Sequence, residues 1–475
     1  MTVSFVVEQV SLHAAPGERL AEFEVEQPAE GEQSDLHVLR VRGRVAGREQ
    51  RARAVEVVYH GKAIQTAPIV GLGPSPAVAS EPDPWEALVG LLGLRADAVL
   101  ELHVVLEDGE RLPAATLRLR RAPLRSGYEP QLQPLIMSSL GRSGSTWLMK
   151  LFAAHPEIVV TRHFPYESSP GKYWMHALKV LSDPANLAQS AHPNNFHADR
   201  GWAGNNPYFN PLSIADPERA AWLAREHLER LARFFQETVD QWYLTVARTQ
   251  GQPAPRYFAE KHLWPNFLAV LIRELYPGAR EVFLVRDFRD VACSALLAER
   301  RHDLAPFGSG REPGMSEEEY VRDVVRRMAT DMLRSWETRG AGGHLVRYED
   351  MALRPHDTLA ALLSYLEVES SPQTIDRLVQ TASQDLPDLE GTTFEPERVE
   401  AHRTERSPES SIGRWRERDD AFREVLDEAL GEPLSAFGYE REGGASDRAT
   451  SPGRADPPLD SDGDGAPAGI LRRQR

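Results

Sequence analysis

The chain has 475 residues, of which 41% are hydrophobic and 27% are charged, and its formal net charge is −16. A chain of this length predicts two or three domains rather than a single core. The acidic balance argues against general nucleic-acid binding, which needs a basic surface, but it allows a local basic pocket for an anion. No apolar run approaches the length of about 20 residues that spans a bilayer, so no transmembrane segment is predicted.

The single cysteine, Cys293, and the first residues of the chain bear on its location. A lone thiol forms no internal disulfide, which favours a reducing compartment. The first residues lack a basic region followed by an apolar one, so no secretory signal is expected. We therefore predict a cytoplasmic protein. Cys293 lies on the apolar side of a predicted helix and is interpreted as a structural residue rather than a nucleophile.

Residues 1–125 have the pattern of an all-β module. Apolar residues alternate with arginines over 39–45, and a similar spacing recurs at 55–59 and 100–104, as in half-buried strands. One short helix is predicted over 85–94. Together these features indicate a small sandwich-like domain. It contains no catalytic cluster and is either a binding module or, as we favour, a packing partner.

From about residue 130, short apolar runs alternate with long helical segments. This pattern is typical of an α/β fold in which helices flank a parallel sheet, and the domain is expected to cover 130–442. The final stretch, 443–475, is rich in Gly, Pro, Ser and Asp and is predicted to be disordered. Strands are predicted at 134–138, 256–259, 281–286 and 344–348, and helices at 145–154, 217–247, 266–276, 290–300, 316–338, 355–366 and 421–430.

The segment 135–148 is the most informative part of the chain. A buried strand runs into a loop of small residues that opens a helix. Backbone N–H groups and the positive end of the helix then converge on one point, which suits a phosphate. Gly141 and Gly144 permit a tight turn and a close approach of the ligand, and Arg142 can pair with phosphate oxygens. Additional hydroxyl donors are available from Ser143, Ser145 and Thr146.

The same loop differs from that of nucleotide kinases. The Walker pattern needs a glycine, four residues and then Gly-Lys-Ser/Thr. With Gly144 in register, Ser139 stands at the first glycine and Ser145 stands at the lysine that binds the β- and γ-phosphates. The loop therefore favours a nucleotide without a γ-phosphate and chemistry without a metal ion. A P-loop kinase and a non-catalytic nucleotide-binding protein are the alternatives.

Residues 141–148, followed by Ala-Ala-His-Pro at 153–156, resemble the 5'-phosphosulfate loop of the sulfotransferases that use 3'-phosphoadenylyl sulfate (PAPS), in particular the Golgi-type and bacterial members. The resemblance extends over about 130–440. It implies a P-loop NTPase-like sulfotransferase fold, PAPS as the donor and no metal ion. It also implies that the loop residues, including Trp147, bind the donor.

Residues 281–294 form a second strand-turn-helix and resemble the 3'-phosphate motif of the same family. The resemblance implies that Arg286 and Ser294 bind the 3'-phosphate, and two turns of helix can bring both to one side of it. Phe288 stands where the family usually has proline. A helix-capping and salt-bridge role is predicted for the charged neighbours Asp287, Arg289 and Asp290.

A third segment, 410–416, resembles the late Gly-x-Trp region of the family, in which a basic loop closes over the nucleotide. Gly413 and Arg414 are the residues of this segment implied to contact the donor. Arg403, in the basic run just upstream, is an equal candidate for the arginine of that loop. The segment 347–350 also resembles a family strand end and is interpreted as structural.

Sulfuryl transfer requires neutralisation of the departing phosphate and a base for the acceptor. Sulfotransferases with a glutamate base place it shortly after the first helix, where Glu167 and His163 compete and Glu167 is favoured. Glu260 and Lys261 resemble the Glu-Lys element of tyrosylprotein-type members, and Lys261 can reach the leaving oxygen. His262 is a further candidate for the base.

The acceptor is expected to carry a hydroxyl or an amine, and a carbohydrate or a small metabolite is favoured. The long stretch between the two phosphate motifs is expected to shape its pocket. Aromatic and amide side chains are mixed there, at 173–174, 194–197, 202 and 205–209. Such side chains can stack on sugar rings and hydrogen-bond to hydroxyls.

Overall fold

The computed structural model describes residues 3–13, 19–69, 82–163, 166–184, 216–263, 268–302, 311–312, 314–339, 342–383 and 408–440. The tail at 443–475, which the composition predicts to be disordered, lies outside these ranges. Within them, an all-β part is followed along the chain by an α/β part.

Nine strands form the all-β part: β1 (Phe5–Leu12), β2 (Leu20–Gln27), β3 (Gln33–Ser34), β4 (Val38–Gly47), β5 (Ala52–Tyr59), β6 (Lys62–Pro68), β7 (Asp83–Gly90), β8 (Asp97–Leu106) and β9 (Arg111–Arg121). They make two antiparallel sheets, in the orders β3-β1-β9-β8-β5-β6 and β2-β4-β7. Inward side chains of both sheets share one core, with Val41 and Trp85 from the smaller sheet and Leu100 and Leu117 from the larger. The predicted sandwich-like fold is confirmed.

The predicted helix over 85–94 is wrong, because β7 occupies most of it and pairs antiparallel with β4. Trp85 and Val89 point into the sandwich core, as a period of two requires. Leu88 points outward, but it packs against Val38 and Ala224 and is buried as well. An apolar residue on the outer face therefore obscures the alternation that would have identified a strand.

The α/β part contains five strands: β10 (Gln133–Ser139), β11 (Ile158–Val159), β12 (Tyr257–Leu263), β13 (Arg280–Val285) and β14 (Gly343–Arg347). All are parallel, in the order β11-β12-β10-β13-β14. Its helices are α1 (Ser145–Ala154), α2 (Pro170–Ser182), α3 (Pro217–Ala221), α4 (His227–Thr249), α5 (Leu268–Leu275), α6 (Phe288–His302), α7 (Glu317–Glu319), α8 (Arg326–Thr338), α9 (Tyr348–Leu353), α10 (Pro355–Leu366), α11 (Pro372–Ser383) and α12 (Asp420–Ala436). The predicted α/β class with a parallel sheet flanked by helices is confirmed.

Two of the predicted helices contain a π-helical segment. Trp222–Glu226 joins α3 to α4, and Tyr320–Val325 joins α7 to α8. A larger difference concerns β12, which continues to Leu263 instead of ending at 259. It pairs with β10 along its whole length, so the polar residues 260–262 are buried strand residues.

The strand order places a crevice at the carboxyl end of β10. From β10 the chain first adds β11 and β12 on one side and then β13 and β14 on the other. Ligands of open α/β sheets bind at such a reversal, beyond the carboxyl ends of the strands. Apolar clusters cover both faces of the sheet: Leu135 and Met137 pack with α1, and Ile136 and Phe258 pack with α2, α4 and α5. Side chains that follow β10, β12 and β13 therefore meet at one edge.

The all-β part is packed on the α2–α5 side of the sheet. Arg121, the last residue of β9, and Glu274, on α5, form a buried ion pair, and the amide N of Leu124 donates to the same carboxylate. The amide N of His37 donates to the carbonyl oxygen of Ala224 over 2.9 Å. Burying the charges of Arg121 and Glu274 is tolerable because each neutralises the other and both are hydrogen-bonded.

Candidate active site

The loop between β10 and α1 makes a tight turn that brings amide groups to the start of the helix. Arg142 and Gly144 both have left-handed backbone conformations, with φ of 68° and 84°. Gly144 is the residue before α1, and no side chain caps that helix end. The first amides of a helix have no partner within the helix. The loop is therefore free to present them to an anion.

Tyr348, at the start of α9, packs directly on this loop. A Cβ atom on Gly144 would lie 2.5 Å from Tyr348 Cδ2, which is closer than atoms can approach. The indole ring of Trp147 meets the tyrosine ring edge-on at 6.0 Å, and the guanidinium of Arg286 lies 4.7 Å from its centroid. The tyrosine hydroxyl is 2.8 Å from the hydroxyl of Ser411. Tyr348 thus contacts all three segments that the sequence singled out.

Arg286 and Ser294, from the second motif, lie beside the loop. Arg286 donates from Nη1 to the main-chain oxygen of Arg142 over 3.0 Å and from Nη2 to that of Ser411 over 2.5 Å. Arg142 donates from Nε to the hydroxyl of Ser294 over 3.2 Å. The Nε of Arg286 is buried and has no hydrogen-bond partner among the described residues. These contacts bring the first and second motifs together.

The late segment is held against the second motif by Asp290. Its carboxylate accepts from the amide N of Gly413 over 2.7 Å and from that of Trp415 over 3.2 Å. Burial raises the pKa of Asp290, while the two amide donors oppose the shift. The predicted capping and salt-bridge roles describe Asp287, which accepts from the amide N of Arg289, and Arg289, which forms ion pairs with Asp287 and Asp427. Asp290 binds main-chain amides of the late segment in addition. A carboxylate near a strand end can bind a distant loop as readily as a nearby arginine, and sequence spacing does not distinguish the two.

Three arginines, Arg142, Arg286 and Arg414, lie close together beside the loop. Burial lowers the pKa of Arg142, and the charges of Arg286 and Arg414 lower it further. No described carboxylate forms an ion pair with Arg142 or Arg286, although the charge of Asp290 attracts Arg286 from a greater distance. Buried like charges are stable only when an opposite charge compensates them. An anionic group such as a nucleotide phosphate fits this arrangement.

Lys261 and Glu167 meet on the other side of the loop. Lys261 Nζ lies 2.9 Å from Glu167 Oε1 and 3.4 Å from the hydroxyl of Thr146, in the first turn of α1. The lysine side chain is 3% exposed and that of Glu167 is 28% exposed. Burial lowers the pKa of Lys261 and the charge of Arg142 adds to this, whereas Glu167 opposes it. Glu167, one of the candidates for the base, therefore contacts Lys261 through its side chain.

His262 and His163 occupy different positions. His262 follows Lys261 on β12, so its side chain points to the opposite face of the sheet, where its Nε2 lies 3.4 Å from Glu260 Oε2. His163 precedes Glu167, and its amide donates to the carbonyl oxygen of Thr161 over 2.8 Å. The structure therefore brings Glu167, not His262, to the lysine.

Several predicted residues lie outside the described residues, namely Arg403 and the acceptor segments 194–197, 202 and 205–209. At 173–174, Tyr173 is exposed, and Trp174 packs against Phe235 on α4 with ring centroids 5.3 Å apart. Trp174 is thus part of the packing between helices. Burial raises the pKa of the Cys293 thiol to about 12, which accords with a structural role.

Sequence reasoning missed the part played by Tyr348 and Glu260. Tyr348 lay in a segment interpreted as structural, and its ring reaches the loop only because α9 starts at the edge of the sheet. Glu260 accepts hydrogen bonds from the start of α2, which is about 90 residues away in sequence. No local pattern could have indicated either contact.

A parallel sheet with an amide-rich loop after its central strand, surrounded by arginines and a lysine, defines a P-loop-like α/β protein. A family model described as the sulfotransferase family matches residues 134–372. The chain belongs to the sulfotransferase family, and its parallel five-stranded sheet flanked by helices matches the sulfotransferase fold.

Three solved structures illustrate the similarity. The sulfotransferase domain from the curacin biosynthetic pathway is 18% identical over 66% of this chain and 99% of that chain, with a TM-score of 0.38. A mouse sulfotransferase complexed with PAP is 12% identical over 65% and 86%, with a TM-score of 0.36. A sulfotransferase from Mycobacterium avium is 15% identical over 66% and 79%, with a TM-score of 0.33. A search of curated proteins finds no match. Among the described helices, none has the length and apolar character needed to cross a bilayer.

Proposed function

We propose that this sulfotransferase moves a sulfuryl group from PAPS to a hydroxyl or amine acceptor, with a carbohydrate or a small metabolite favoured. The observation that carries the proposal is the convergence of three elements at the carboxyl end of β10: the uncapped α1 amides, the Arg286–Arg142–Ser294 group, and Lys261 with Glu167. Two separate cationic regions suit a nucleotide that has phosphates at both the 5' and 3' positions.

In this proposal the loop amides and Thr146 hold the 5'-phosphosulfate, and Arg286 with Ser294 holds the 3'-phosphate. Gly413 and Arg414 cover the nucleotide, and Trp147 contacts it. Arg403, outside the described residues, stays a predicted contact. Because Arg286 Nε is buried without a described partner, a phosphate oxygen would satisfy it.

The donor supplies the sulfuryl group: a bond forms between sulfur and the acceptor oxygen or nitrogen, and the bond from sulfur to the phosphate oxygen breaks. Lys261 stabilises the charge that develops on that oxygen. Glu167 takes the proton of the acceptor, and its ion pair with Lys261 holds the carboxylate beside the group that stabilises the leaving oxygen. No metal ion is assigned a role.

We also propose that residues 1–125 and 130–442 are distinct domains, with the first acting as a packing partner of the α2–α5 side. The buried Arg121–Glu274 pair supports this role.

Calorimetry and turnover test the proposed function. We expect 3'-phosphoadenosine 5'-phosphate (PAP) to bind tightly in the presence of a chelator, and radiolabelled PAPS to label at least one member of an acceptor panel. Binding of ATP that depends on magnesium, without binding of PAP, would contradict the proposal and favour a kinase. PAP binding without transfer to any acceptor would favour a non-catalytic binding protein.

A further inference from the structure

Glu260 is a buried carboxylate on the same strand as Lys261 but on the opposite face of the sheet. Its side chain is 3% exposed. It accepts hydrogen bonds from the hydroxyl of Tyr243 over 2.5 Å, from the amide N of Gly171 over 2.6 Å and from that of Lys172 over 2.9 Å. Gly171 and Lys172 belong to the first turn of α2, where amides have no partner within the helix. Glu260 therefore caps this helix from a distant strand.

The residue that normally caps a helix has a different partner here. Ser169 immediately precedes α2, and its side chain makes no capping hydrogen bond. Its hydroxyl donates instead to the main-chain oxygen of Lys261 over 3.2 Å. The start of α2 is thus attached to β12 at two successive residues, Glu260 through its side chain and Lys261 through its backbone.

The segment so attached carries Glu167. Only Ser168 separates Glu167 from Ser169, and the carboxylate of Glu167 returns to Lys261 Nζ at 2.9 Å. Tyr166 just before it has a left-handed backbone with φ of 65°, which a residue with a side chain rarely adopts. A strained conformation of this kind persists only where neighbouring contacts hold it.

The fit around Glu260 is close. A Cβ atom on Gly171 would lie 2.9 Å from Glu260 Oε1, so the helix approaches the carboxylate as nearly as a glycine allows. The ring of Tyr243 stacks on Phe258 with centroids 4.3 Å apart, which fixes the direction of its hydroxyl. Burial, and then the charge of Glu260, raises the pKa of Tyr243 well above its usual value, so it remains a donor.

From this arrangement we propose that Glu260 is a positioning residue, which holds the start of α2 on the sheet and so sets Glu167 against Lys261. The inference rests on the proposed function, because it concerns the proposed base. Glu260→Gln keeps the size of the side chain but turns one acceptor oxygen into a donor, which then faces a donor already present. The start of α2 must then shift, and Glu167 with it.

The kinetic test uses Glu260→Gln and Tyr243→Phe in the full chain. We expect kcat to fall about 10–100-fold in the first variant and about 3–10-fold in the second, because the start of α2 moves to relieve an unsatisfied buried donor or acceptor and displaces Glu167. The Kd for PAP should change less than about 2-fold, since the nucleotide contacts lie on the other face of the sheet.

Two control variants separate positioning from stability. Glu337→Gln changes an exposed glutamate on α8 and should leave kcat unchanged. Val239→Ala removes buried methyl groups on α4 and lowers the Tm without touching Glu260. If Glu260→Gln keeps kcat within about 2-fold, or if Val239→Ala lowers kcat equally at the same loss of Tm, the proposal is overturned.

Hydrogen exchange decides the case in which the wild-type protein shows no transfer. An inactive wild-type protein would contradict the proposed function but would not test the positioning role of Glu260. Exchange at the amides of Gly171 and Lys172 should become at least about 10-fold faster in Glu260→Gln, and exchange over the loop at 141–144 should not change. Unaltered exchange at the start of α2 would overturn the positioning role independently of any activity.

Discussion

Arg286 donates a hydrogen bond from Nη1 to the main-chain oxygen of Arg142 over 3.0 Å, and Arg142 donates from Nε to the hydroxyl of Ser294 over 3.2 Å. Both contacts cross between the loop after β10 and the segment after β13. Because Arg142 has a positive φ, the contact to its carbonyl oxygen also helps to hold a turn that few residues other than glycine adopt. The two proposed phosphate sites therefore depend on each other.

A first prediction concerns recognition of the 3'-phosphate. In Arg286→Ala we expect the affinity for PAP to fall about 10–100-fold, because a hydrogen bond to a charged group contributes about 1.5–3 kcal/mol. The affinity for adenosine 5'-phosphate, which has no 3'-phosphate, should fall much less. Ser294→Ala should weaken PAP binding about 3–10-fold. Calorimetry with both nucleotides measures these differences.

Arg248→Ala, an exposed change on α4, is the matched control and should bind PAP as the wild type does. An equal loss of affinity for the two nucleotides in Arg286→Ala would show that this arginine supports the loop and does not recognise the 3'-phosphate.

A second prediction concerns the base. Glu167→Gln should lower kcat about 10²–10⁴-fold, the usual contribution of general base catalysis, and PAP binding should remain. His163→Ala should lower kcat far less, because it is Glu167 that contacts Lys261. Steady-state transfer from labelled PAPS gives kcat, and calorimetry gives the affinity. Near-normal turnover by both variants would place the base elsewhere, and His262 would be the next residue to change.

A third prediction concerns pH. Burial and the charge of Arg142 lower the pKa of Lys261, so its ammonium loses its proton at a pH below the ordinary lysine value of about 10.4. Lys261 is charged below that pKa and neutral above it. Since the charged form stabilises the leaving phosphate in the proposed mechanism, kcat should decline as the pH rises through the lowered pKa.

Lys261→Arg provides the comparison for the pH profile, because a guanidinium does not lose its proton in this range. The maximal kcat of this variant should be lower, since arginine and lysine differ in geometry. The decline of kcat at alkaline pH should be absent. A variant that keeps the same decline would show that another group titrates.

A fourth prediction compares two glycines of one loop. Gly144→Ala should destabilise the protein by about 1–3 kcal/mol, because its φ is positive and the new Cβ would meet the ring of Tyr348. Gly141→Ala should change the free energy of unfolding by less than about 1 kcal/mol, since no heavy atom lies within 4 Å of its added Cβ. Urea denaturation measures both. If both variants lost the same free energy of unfolding, the packing of Tyr348 would not be the reason why glycine is required at 144.

Local patterns predicted most elements of the α/β part because its strands are short apolar runs and its helices are long. Residues 145–154 and 355–366 were predicted to be helices and are found with the same ends. The patterns failed where tertiary contacts reversed a local preference. Leu88 is buried on the outer face of β7, and β12 continues through polar residues because both of its faces are covered.

The sequence by itself determined the glycine-rich loop after β10 and the order of the motifs, because a strand, a glycine-rich turn and a helix are local in the chain. It also identified Arg286, Ser294 and Glu167 as candidates. Only the tertiary structure decided that Arg286 rests on Arg142, and that Glu167 rather than His262 faces Lys261. Those contacts depend on the order of the strands and on the face of the sheet from which each side chain points. Neither can be predicted from the local sequence, because the residues in contact are far apart in the chain.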